Sequence, residues 1–126
     1  NYAKEMQERF NIVKRLNEEG VKLLLSPDSS SKFIVPGFGL FEEIKLYKKA
    51  GLSNYDILRA ATINYASLYK ENYGKIEVGA DADCMLLSSN PLEDIKALEN
   101  IEAIYFNNQY LDKDKLNEIA KSVLPE

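Results

Sequence analysis

Asp28 is the residue whose type and position best suit chemistry. It follows the apolar run of residues 21–25 (VKLLL) and stands in the cluster Ser26, Pro27, Asp28, Ser29, Ser30, Ser31. A run of that length reads as a short buried strand, and Asp28 then lies just past its carboxyl end. In parallel α/β folds that edge is where ligands and catalytic groups collect. Local chemistry offers a plainer role, in which Asp28 caps a turn with Ser30 or Ser31. The other candidates are weaker. Glu42 with Glu43 and Asp81 with Asp83 are paired carboxylates, but capping, helix-surface and turn roles account for them. The sequence has no histidine, so neither Ser29, Ser30 and Ser31 nor Cys84 has an activating base. Cys84, alone in an apolar run, reads as a small core residue.

The elements that must position Asp28 are legible in the apolar spacing. Ala3, Met6, Phe10, Val13 and Leu16 make one stripe of an amphipathic helix that Gly20 ends. A helix leading at once into the strand at 21–25 is the αβ half of a βαβ repeat. Leu40, Ile44 and Tyr47 mark a second helix closed by Gly51. Ser53 with Asp56 starts a third, carried by Ile57, Leu58, Ala61, Tyr65 and Leu68, with a fresh turn beginning at Thr62.

The later part of the chain changes character. Residues 75–78 alternate polar and apolar between Gly74 and Gly79, which predicts a half-buried strand. Residues 84–87 (CMLL) predict a strand buried on both faces. Asn90, Pro91 and Glu93 then have the order of a capped helix start. Residues 101–106 and 109–111 predict a hairpin turned by Asn107 and Asn108, both tolerant of positive φ. Asp112 caps a last helix with Leu116, Ile119, Ala120 and Val123 on one face. Gly74 and Gly79 do not form a phosphate loop, because a strand separates them and no helix start follows.

Composition excludes several classes. At 126 residues the chain is one domain's worth, and 45% hydrophobic residues can build a core. A net charge of −4 without a Lys/Arg cluster argues against a nucleic-acid partner. The longest apolar run is too short to span a bilayer, so no membrane partner is expected. A cytoplasmic setting is favoured. Asn1 is not an initiator and Met6 lies inside a helical pattern, so the sequence reads as a piece of something longer.

Gly74, Ile76, Gly79, Ala82 and Asp83 fall in the order Gly-x-Ile-x-x-Gly-x-x-Ala-Asp, followed by Asn90, Pro91, Leu92 and Asp94. Upstream stand Leu40, Phe41, Glu42, Glu43, then Ala50, Gly51, Leu52, Ser53, then residues 58–66 (LRAATINYA). In these motifs the chain resembles the tail of the metal-dependent amidohydrolase superfamily, in its imidazolonepropionase-like and Xaa-Pro-dipeptidase-like branch. The resemblance runs from Asp28 to Tyr110. It implies an α/β fold: residues 1–72 as the last part of an eight-stranded α/β barrel, and residues 73–126 as part of a small β-sandwich with a terminal helix.

The resemblance also implies a role for Asp28, as a metal ligand that accepts a proton from the metal-bound water. The implied cofactor is a divalent metal, zinc by expectation, held in a longer parent that hydrolyses a C–N bond of a cyclic amide or peptide-like substrate. Such sites resemble one another in needing a His-x-His pair and two further histidines, so this chain by itself should neither hold the metal tightly nor catalyse. Three positions depart from the pattern: Ser26 and Pro27 replace Gly-Thr, and Phe41 stands where the branch often carries histidine. Two other readings stay open, a free-standing binding or assembly module and a full-length relative without metal. Strands left without partners predict a homo-oligomer formed by edge pairing.

Overall fold

Helix formation follows the apolar stripes. The structure is a computed structural model that describes residues 1–29 and 34–122. It divides into two units, Asn1–Gly74 and Lys75–Glu126.

In the first unit, α1 (Tyr2–Glu18) turns Met6, Phe10 and Val13 to partly covered positions and packs against α2 (Phe38–Lys49). Ile44 is the buried member of the α2 stripe. α3 (Asn54–Ala61) starts as the sequence predicts: the Ser53 side chain accepts from the Asp56 N–H at 3.1 Å and donates back to the Asp56 carboxylate at 2.6 Å. That reciprocal capping, chiefly the Ser53 hydrogen bond, holds the Asp56 carboxyl below its ordinary pKa. The fresh turn at Thr62 is also present. Thr62 sits at φ −130° and ψ −94°, and its hydroxyl donates to the Leu58 carbonyl at 2.7 Å, separating α3 from α4 (Ile63–Tyr69). Leu25, Ile44, Leu52, Ile57, Ala60 and Ala66 form the core between these helices, with Ile57 fully enclosed.

Residues 21–25 differ from the expected buried strand. They form an irregular arm that joins no ladder, and only Leu25 is buried. The physical reason is that no neighbouring strand stands among the described residues of this unit. Backbone groups that a sheet would pair go to helices instead, as where Leu25 N–H donates to the Ala60 carbonyl at 3.1 Å.

The second unit is a three-stranded antiparallel sheet in the order β1-β2-β3, with β1 Cys84–Leu87, β2 Ile101–Phe106 and β3 Gln109–Asp112. Asn107 and Asn108 turn the β2–β3 hairpin at φ +50° and +60°, as their types predict. The Asp112 side chain accepts from Lys115 N–H at 2.9 Å and caps α5 (Lys113–Ser122). Leu116, Ile119 and Ala120 belong to this helix, while Val123 lies outside the described residues.

Three expectations fail here. Residues 75–78 form no strand but a bend at Lys75, irregular backbone at Ile76 and Glu77 and a turn from Val78, and Ile76 and Val78 are wholly exposed at 98% and 104%. Alternation gives a strand only where some surface covers the apolar face, and the described residues of this unit supply none. For the same reason β1 is an exposed strand paired on one side to β2, not one buried on both faces, and Cys84 is exposed and not in the core. Asn90 caps a turn through Leu92 N–H at 3.0 Å, and the following 3-10 helix, Ile95–Glu99, is capped by Asp94 instead.

Candidate functional site

Asp28 follows this arm at φ +52°, in the left-handed region, and is exposed. It borders a cleft of about 410 Å³ whose walls are mainly apolar, from Pro27, Ile34, Val35, Phe38 and Leu46, with Glu42 and Glu43 as further carboxylates. Gly39 is needed at this wall, because a Cβ there would come within 2.7 Å of Ile34 Cγ2 and 3.2 Å of Pro27 Cβ.

Glu43 is the functional candidate that the sequence reading passed over. Its carboxylate accepts from the backbone N–H of Ser26, and burial outweighs that bond and raises its pKa above the usual carboxylate value. Its Oε2 is buried and has no hydrogen-bond partner among the described residues. One turn later, Tyr47 donates its hydroxyl to the Leu24 carbonyl at 2.8 Å. Burial raises the Tyr47 pKa first, with the nearby Glu43 charge and Tyr65 adding to it. From α4 the buried Asn64 donates Nδ2 to the Leu23 carbonyl at 2.8 Å. A signal for Glu43 existed in the sequence: it falls four residues before Tyr47 and beside Ile44, on the apolar stripe and not opposite it.

Of the remaining candidates only Glu42 borders this cleft. Glu42 is exposed and pairs with Lys45 at 2.8 Å, an ordinary helix-surface contact. Asp81 and Asp83 belong to the second unit, where Asp83 accepts from Asn107 N–H at 3.3 Å. Turn capping of Asp28 by Ser30 or Ser31 falls outside the described residues.

Among the described residues no three His, Cys, Asp or Glu side chains gather as metal ligands. A catalytic zinc takes about three protein ligands. The donors present here therefore do not fit a complete metal centre, and Asp28 could fill one position of one.

Residues 4–114 match the profile of the Amidohydrolase family. The chain belongs to that family. Two solved structures resemble this amidohydrolase chain. A Xaa-Pro dipeptidase with methionine bound in its active site is 25% identical, with a TM-score of 0.68, over 82% of this chain and 25% of its own. A prolidase candidate from Bifidobacterium longum is 26% identical, with a TM-score of 0.69, over 89% of this chain and 30% of its own. The amidohydrolase chain thus spans between a quarter and a third of the length of these structures. No curated protein matches it. No helix among the described residues is long and apolar enough to cross a membrane.

Proposed function

We propose that this chain is the carboxy-terminal part of a longer metal-dependent amidohydrolase that hydrolyses C–N bonds. Asp28 is its metal ligand and proton acceptor, and a divalent ion such as zinc supplies the acidified water. The observation that carries this reading is the family match across 4–114, which includes Asp28 at the end of its arm beside an apolar cleft. The similarity to a Xaa-Pro dipeptidase favours a peptide-like substrate over a cyclic amide. On this reading residues 1–72 close an α/β barrel and residues 73–126 contribute to a small β-sandwich. The other metal ligands come from outside this chain, which alone is inactive. The test is hydrolysis by the longer protein. Xaa-Pro dipeptides should be cleaved, and a chelator should abolish cleavage until zinc is restored. Failure on both dipeptides and cyclic amides with zinc present would sink the proposal.

A second reading, a binding or assembly module, is favoured by one feature. Met85 and Leu86 on the single-sided strand β1 are 52% and 60% exposed. An open edge with apolar side chains invites pairing with a second copy. Sedimentation of the isolated chain should then show a dimer or larger at micromolar concentration. A monodisperse folded monomer at high concentration speaks against it.

A further inference from the structure

The arm that delivers Asp28 is held by side chains where a strand would be held by neighbouring strands. Asn64 and Tyr47 engage the Leu23 and Leu24 carbonyls, each at 2.8 Å, and Glu43 engages the Ser26 amide. These groups hold the arm at residues 23, 24 and 26, from α4 and α2. We propose that Glu43, backed by Tyr47 and Asn64, is a positioning residue that sets where the Asp28 carboxylate stands; this rests on the reading of Asp28 as a site residue.

Three observations support the assignment. Between the Ser26 amide and Asp28 lie only Ser26 and Pro27, and the proline ring fixes one of the intervening torsions. Asp28 holds φ +52°, a conformation uncommon for residues with a Cβ and best tolerated by Asp and Asn, which aims its carboxylate differently from an ordinary strand end. Glu43 leaves Oε2 buried and unpartnered among the described residues. That placement is costly for a helix carboxylate whose role is only solubility.

The test needs no catalysis. Amide spectra and hydrogen exchange of the 126-residue chain are compared for wild type, Glu43→Ala and Glu43→Gln. Glutamine keeps an acceptor oxygen at the same reach. Glu43→Ala should lower protection of the Ser26 amide about tenfold or more and shift the Asp28 resonance. Glu43→Gln should restore most of both, with protection at Ile57 constant throughout. Tyr47→Phe should shift Asp28 in the same way, which keeps the test usable if the alanine variant does not fold. An unmoved Asp28 resonance in Glu43→Ala or in Tyr47→Phe overturns the proposal. So does equal loss in the Ala and Gln variants together with loss at Ile57, which would mark general destabilisation. If instead the clasp behaves as described but Asp28→Asn leaves hydrolysis by the longer protein intact, the reading of Asp28 is what has failed.

Discussion

Asp28→Asn, made in the longer protein of which this chain is the proposed tail, should lower kcat by about 10²- to 10⁴-fold, the range for a lost acid–base group. Asparagine keeps the size and one acceptor oxygen of aspartate but has no charge and cannot take a proton at neutral pH. A bound divalent ion loses a hard anionic donor, so metal content should fall as well. Steady-state kinetics and elemental analysis on the same preparation check the two parts. The exposed position and left-handed φ of Asp28 help to isolate the effect. Asn adopts that backbone region more readily than most residues, so fold damage should be small. Activity and metal content both at wild-type level would remove Asp28 from the site.

Gly74→Ala should have the largest effect on stability, roughly 3 kcal/mol or more. Two costs coincide there. Gly74 sits at φ +76°, and a Cβ would lie 2.8 Å from the backbone carbonyl carbon of Thr62 and 2.9 Å from its oxygen. The first cost is the ordinary left-handed penalty of about 1–2 kcal/mol for a residue with a Cβ. The second cannot be relieved by a rotamer change, since the obstacle is main chain at the break between α3 and α4. Urea unfolding followed at the helical circular dichroism signal reads the loss, because the helices of the first unit carry most of that signal. Gly20→Ala, in the same unit, is the control, with φ +79° and nothing near its Cβ, and should show the left-handed penalty alone. Equal midpoints for the two variants would show that the Thr62 contact carries no weight.

The parts of the fold that were legible in the sequence are those whose cause is local. Ser53 and Asp56 cap α3 within one turn, Thr62 breaks the helix through its own hydroxyl, and Asn107 and Asn108 satisfy the hairpin by backbone tolerance alone. None of these needs a distant partner. Residues 21–25 and 75–78 form no strand, and 84–87 form one without the expected cover, because strand pattern is a statement about what covers the strand. Their composition is that of covered strands, while this chain gives residues 21–25 helix side chains, β1 one neighbour, and Ile76 and Val78 no cover.

The site divides along the same line. Asp28 was legible because turn-formers after an apolar run mark a strand end. Glu43 was not, since paired glutamates on a helix usually face water. Only the packing of α2 against the arm shows that Glu42 is outside with Lys45 while Glu43 is inside at the Ser26 amide. The absence of histidine, by contrast, is a property of composition and could be read without any fold.

The central claim is that Asp28 completes a metal site whose other ligands lie outside this chain. Reading the gene upstream of the Asn1 codon tests it most directly. The account predicts an open frame that continues for roughly one more large domain, with a His-x-His motif at the end of a hydrophobic strand. A frame that begins close to Asn1 would contradict it.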